Sequence, residues 1–161
     1  MAAIGDKDGA AGGRSKSDDD LLAEAAGRLG AAGGGLNLDF GGATGGRLGG
    51  RWAARRMSNN VLEIDLELAL PTAAIVGRAV EVFEQLGKVV DSCQDDGAMV
   101  VRGMFDSGWL DLCPAIVTVR VSTTGGEGTS RVTIRGVAKE GLIKQRAGEK
   151  AARKVAELLV A

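Results

Sequence analysis

The 161-residue sequence contains no histidine and no tyrosine. Histidine is the commonest general base and neutral metal ligand, and the usual physiological pH switch. Its absence excludes hydrolysis by a Ser-His-Asp or Cys-His arrangement within one chain. Without tyrosine, no phenol can act as an acid or a stacking platform. Cysteine is scarce: Cys93 and Cys113 stand alone, outside any CxxC pair. Two thiols make no zinc site without other strong ligands. The expectation is two reduced thiols in an intracellular protein, with a Cys93–Cys113 disulfide as the alternative. No apolar run approaches the ~20 residues that span a bilayer. The N-terminus lacks the apolar core of a secretory signal, and Asp18, Asp19 and Asp20 do not suit an acid-poor transit peptide. The cytoplasm is the expected location. Net charge is −1, so no global field draws the chain to nucleic acid or an acidic membrane. No metal or cofactor is expected, and with no proton-transfer constellation in view, neither is enzyme activity.

What is abundant is glycine, with 26 residues, more than half of them before Met57. They cluster at Gly12-Gly13, Gly33-Gly34-Gly35, Gly41-Gly42, Gly45-Gly46 and Gly49-Gly50. Each loses much backbone entropy on ordering, and apolar bulk to offset that is scarce. Residues 1–56 therefore read as a disordered low-complexity segment, and 57–161 as the folded domain. Within the head, Asp20 could cap a helix over residues 21–29 that Gly30 ends; alone it is too short to be stable. It reads as a transient helix or as an element that docks on a partner. The Arg51 to Arg56 run reads as a solvated linker. Met57 is also a candidate biological start, because patterned sequence begins just after it.

The pattern from Val61 to Leu70 predicts a half-buried strand. Ile64, Leu66, Leu68 and Leu70 point one way, Glu63, Asp65 and Glu67 the other. Pro71 ends it, Thr72 is placed to cap a helix, and Ile75, Val76, Ala79, Val82, Phe83 and Leu86 recur at helical spacing. Gly87 fits the left-handed position past the helix end. Val89–Cys93 and Ala98–Met104 flank Asp95-Asp96-Gly97, a hairpin turn signal. Phe105–Pro114 reads as a connection, Ala115–Thr124 and Arg131–Val137 as strands, and about Lys144 to Val160 as a helix buried through Ala147, Ala151, Val155, Leu158 and Leu159. The fold class is α+β: an antiparallel sheet in β-α-β-β-β-α order with both helices on one face. If the first and last strands are neighbours, Glu63, Asp65 and Glu67 face Arg131 and Arg135 as cross-strand pairs.

This element order, over about residues 60–160, resembles the helix-grip arrangement of START-like and TATA-binding-protein-like domains. The resemblance implies a non-enzymatic binding domain that grips a small apolar ligand between the sheet and the last helix. From Thr72 onward the order α-β-β-β-α, with the basic, alanine-rich stretch from Lys144 to Ala156, resembles double-stranded-RNA-binding domains. That resemblance implies phosphate contacts from Lys144, Arg146, Lys150, Arg153 and Lys154.

Among candidate sites, Asp95 and Asp96 read as a turn, not a metal pair, since no further oxygen ligands stand at suitable spacing. Gly125, Gly126 and Gly128 are followed by a strand and match no phosphate-binding fingerprint. Cys113 lacks a histidine partner. Met104, Phe105, Trp109 and Leu110 are bulky apolar residues grouped beside Asp106, Asp111 and a glycine. They read as a contact surface for an apolar ligand or protein partner, or as core plugs. The leading expectation is a binding or interaction domain; the alternative is a nucleic-acid-binding module.

Overall fold

A computed structural model describes residues 17–33, 48–49, 52, 56–107, 113–124, 128–140 and 144–161. Eight elements run α1 (Asp18–Gly33), β1 (Ser58–Leu68), α2 (Thr72–Leu86), β2 (Lys88–Asp95), β3 (Ala98–Ser107), β4 (Cys113–Thr123), β5 (Ser130–Glu140) and α3 (Ala147–Val160). The five strands form one antiparallel sheet in the order β1-β5-β4-β3-β2. The order after Met57 is β-α-β-β-β-β-α, one strand more than the expected β-α-β-β-β-α, and from Thr72 onward it is α-β-β-β-β-α, not α-β-β-β-α.

One face of the sheet and two helices make the main core. Ile75, Ala79, Val82 and Phe83 of α2, and Ala152, Val155 and Leu159 of α3, are buried against Val101, Phe105, Val117, Val119, Val121, Val132 and Ile134. Each such side chain contributes roughly 1.5–3 kcal/mol on full burial. Leu62, Ile64, Leu66 and Leu68 extend this face onto β1, whose burial alternates residue by residue as its sequence does. The expected neighbours are indeed neighbours: Glu63 lies opposite Arg135, Asp65 opposite Thr133 and Glu67 opposite Arg131. Arg131 and Glu67 approach to 3.6 Å, and Thr133 Oγ1 donates to Asp65 Oδ1 at 2.7 Å. Arg135 departs from this scheme, because its guanidinium is drawn to Asp18 of α1.

Several local expectations are corrected. Thr72 is the first helical residue, not the cap; Pro71 occupies the cap position and no side chain caps α2. The Thr72 hydroxyl instead lies 3.1 Å from Ser130 Oγ, which donates to the Leu70 carbonyl at 2.9 Å. Gly87 is extended, with φ of 178°, so the left-handed argument does not apply. Its need is space: a Cβ there would overlap the Met104 carbonyl oxygen. β3 runs three residues further than Met104, because Phe105, Asp106 and Ser107 continue the antiparallel register against Ala115, Pro114 and Cys113 of β4. The Asp95-Asp96-Gly97 turn is as read, with positive φ at Asp96 (47°) and Gly97 (74°). Arg120 holds Asp95 at 2.6 Å.

Within the segment read as disordered, Asp18–Gly33 is helical and packs on the sheet face opposite α2 and α3. Ser17, not Asp20, supplies the start: its hydroxyl accepts from the Asp20 backbone N–H at 3.2 Å. The helix passes Gly30 and ends at Gly33.

α3 lies at backbone contact distance over β5. A Cβ at Gly136 would overlap the Gly148 carbonyl oxygen and stand 2.8 Å from Ala152 Cβ; one at Gly148 would stand 2.6 Å from the Asn60 carbonyl oxygen. Gly136→Ala is therefore expected to destabilise the protein by about 1–3 kcal/mol. Gly77, in the interior of α2 with nothing within 4 Å of its Cβ position, predicts the reverse. Gly77→Ala should stabilise by roughly 0.5–1 kcal/mol through helix propensity. Denaturant midpoints of the two variants check the pair; equal effects would contradict the packing described.

Candidate functional site

Two faces of the sheet offer themselves as sites, and the side chains fill them differently. On the inner face, Phe83 and Phe105 meet edge to face, with ring centroids 5.3 Å apart. Gly103 makes room for them: a Cβ there would stand 2.7 Å from the Phe83 ring. At the other end, Ala115 and Ala138 pack with Ala147. Over these residues the space between sheet and last helix is occupied by the protein itself.

The outer face is different. On strands otherwise charged there, Met104, Ile116 and Val137 form an apolar patch, joined by Val90. Val90 owes its place to an irregularity: Val89 pairs with Gly103 and Asp91 with Arg102, so Val90 is the extra residue of a β-bulge. α1 covers part of this patch with Leu22, fully buried, and Ala25. Burial of Leu22 contributes roughly 1.5–3 kcal/mol. Gly27 and Gly30 weaken the helix by about 1 kcal/mol each relative to alanine, so the docked contacts hold it together.

The first turn of α1 is fixed by charge. Asp18 pairs with Arg135, and Asp19 Oδ1 lies 2.7 Å from Lys139 Nζ and accepts from Asn59 Nδ2 at 3.2 Å. The acidic turn also sits at the positive end of its own helix. The Lys139 hydrogen bond, then that of Asn59, holds the Asp19 carboxyl below its ordinary pKa, with burial opposing in part.

Between α1 and β2–β3 remains a groove of about 240 Å³. Leu21, Ala25, Val90 and Met104 form its apolar walls, and Glu24, Arg28 and Lys88 its charged rim. Arg28 is tied to Glu24 at 2.8 Å. Lys88 pairs in register with Met104, so it stands beside the apolar floor, and it makes no ion pair among the described residues.

The residues singled out from sequence are thus separated. Met104 lines the outer groove; Phe105, the next residue on the strand, is in the inner core. Trp109 and Leu110 lie outside the described residues. Lys88, Val90, Leu21, Ala25 and Arg28 were not signalled, because the head was read apart from the body. The one available hint was the charge match between Asp18-Asp19-Asp20 and the basic outward residues of β5. Cys93 is a free thiol. No described group of three or more Cys, Asp or Glu residues is placed to hold a metal ion.

The basic residues of the last helix are exposed but largely paired. Glu149 lies 3.3 Å from Arg153 and 3.9 Å from Arg146, and Lys154 is 3.7 Å from Glu157. The Arg146 backbone N–H also donates to Glu140 at 2.7 Å. Lys144 and Lys150 are exposed without an ion pair among the described residues. No described helix is long and apolar enough to cross a membrane.

No family model matches the chain, and no curated protein matches it. Among solved structures, it is similar to an uncharacterised protein from Bacillus thuringiensis (12% identity, TM-score 0.36, 62% of this chain and 93% of that one). It is also similar to Ara h 8.0201 (11%, TM-score 0.35, 64% and 94%). A third is the lipid transfer and protein localization domain of human StarD13 (12%, TM-score 0.33, 62% and 75%). The architecture given above rests on the strand order and register of this chain.

Asp19 has a pH consequence. Because its pKa is lowered on docking, its contribution is complete above the ordinary carboxylate range and is lost as pH falls through the lowered value. Backbone amides of α1 should lose hydrogen-exchange protection as pH falls below the ordinary carboxylate range, while those of β4 and β5 keep theirs. Asp19→Asn should show a smaller pH dependence. Protection of α1 that does not change with acid would contradict this anchoring.

Proposed function

We propose that this chain is a non-enzymatic binding domain of the cytoplasm that takes a small ligand with an apolar body and an anionic group. Its site is the outer groove between α1 and β2–β3, in place of the space beneath the last helix. The observation that carries this reading is the groove itself, with Val90 and Met104 as floor and Lys88, without an ion pair among the described residues, at the rim. Its volume lies just below the usual ~300–1,000 Å³ of small-molecule sites, which favours a compact ligand. The filled inner face, where Phe83, Phe105 and the Gly136–Gly148 contact occupy the space, argues for the outer location.

Titration with anilinonaphthalene sulfonate, an apolar anion that fluoresces when sheltered from water, tests the site. Saturable binding is expected. Val90→Asp should weaken it at least about tenfold, equivalent to ~1.4 kcal/mol. Lys88→Glu, at an exposed position, should weaken it several-fold with the thermal midpoint unchanged. Dye binding indifferent to both substitutions would overturn the location.

A second reading, a duplex-RNA-binding module, is favoured by the exposed Lys144, three residues before the last helix begins, and Lys150 on its exposed side. The pairing of Arg146, Arg153 and Lys154 with Glu149 and Glu157 opposes it. A gel shift at low salt decides it: this reading expects a complex that weakens steeply with salt and with Lys150→Glu. No complex at low salt would remove it.

A further inference from the structure

The outer face carries a second message, independent of the small-ligand reading. α1 is attached to the domain in an unusual way. Its apolar hold rests on Leu22 and Ala25, and its polar hold is concentrated in one turn, where Asp18 and Asp19 meet Arg135, Lys139 and Asn59. The Lys139 side chain is only 11% exposed, whereas its partner Asp19 is 60% exposed. A largely enclosed ammonium requires a counter-charge, while an exposed carboxylate is readily rehydrated. Beside it lie Met104, Ile116 and Val137, which would face water on an otherwise charged surface if nothing covered them. The connection from α1 to β1 spans residues 34–57, and eight of those 24 residues are glycine. At ~3.3–3.6 Å per residue, that length lets α1 leave its seat without moving β1.

We propose that the outer face of the sheet is a docking surface for an acidic amphipathic helix of another protein, and that α1 is its resident, displaceable occupant. The partner helix carries two adjacent carboxylates in its first turn, for Arg135 and Lys139, and a Leu/Ala stripe for the Met104–Ile116–Val137 patch. α1 shows what the surface accepts, and as a tethered segment at high effective concentration it excludes weak competitors. Only a helix matching both the charge and the stripe replaces it. Charge complementarity sets the orientation, since reversal would bring the carboxylates away from the two cations.

The test uses the full chain and a fluorescein-labelled peptide of residues 17–33 as the probe. In the variant Asp18→Lys with Asp19→Lys, the resident helix is repelled by Arg135 and Lys139. This variant should bind the peptide at least tenfold more tightly than the wild-type chain, and the binding should weaken with salt. Adding Arg135→Glu and Lys139→Glu to that variant should abolish binding of the wild-type peptide, whereas Arg135→Glu with Lys139→Glu alone, which repels the wild-type resident helix, should bind a peptide carrying Lys at positions 18 and 19. Circular dichroism confirms that each variant is folded. Equal or absent peptide binding in wild type and variant would overturn the proposal, as would binding indifferent to the charges at 135 and 139. Concentration-dependent dimerisation of the variant in place of peptide uptake would also overturn it, making a second copy the occupant. Failure of the dye titration leaves these outcomes unaffected, because they depend on the β5 cations and not on Lys88 or Val90.

Discussion

Backbone meets backbone where Gly148 of α3 crosses Gly136 of β5, and the rest of the structure is arranged around that contact. A side chain at either position would lift the helix. With none there, α3 settles onto β5 and β1, Ala152 and Val155 reach the sheet, and Leu159 joins Ile75 and Phe83 in one core. The close approach also has a functional cost, since it leaves no space for a guest at this end of the inner face. Phe83 and Phe105 close the other half, with Gly103 yielding them room.

That face must be soluble and yet carries an apolar patch. The chain solves this with a segment from outside the main domain. α1 is weakened by Gly27 and Gly30, rests on a small apolar seat of Leu22 and Ala25, and is anchored at one end by two ion pairs. Electrostatic contacts of partly exposed groups are weak and screened by salt. A cover held in this way is firm enough to be the default state and weak enough to be exchanged. The bulge at Val90 adds the remaining feature, turning one extra apolar residue toward the cover and leaving a groove beside it.

Much of the fold was legible because burial on one side of a sheet imposes strict alternation. β1 shows this best: the inward face of its leucines and isoleucine and the outward face of its carboxylates follow from the residues alone. The charges at Arg131 and Glu67 needed only the assumption that the strands are adjacent. Other features were not legible because two physical causes compete for the same residue. Gly87 is consistent with a left-handed cap and with a close approach to Met104; only the latter holds. Met104 and Phe105 were grouped as one apolar cluster, although neighbours on a strand must face opposite ways. Ion pairing with Arg135 could not be assigned between Glu63 and Asp18, since one is local to the sheet and the other lies 117 positions away. The groove was hidden for the same reason: half of its lining comes from a short helix in the glycine-rich head, and nothing local to residues 21–29 says that it docks on this sheet.

The central claim is that α1 belongs to the folded unit, with Leu22 on the outer face of the sheet. Methyl-resolved nuclear Overhauser measurements on the full chain test it most directly. The account predicts cross-peaks from the Leu22 methyl groups to Ile116, Val137 and Met104. Leu22 methyl groups at unstructured shifts, with no cross-peak to any of the three at neutral pH and low salt, would contradict it.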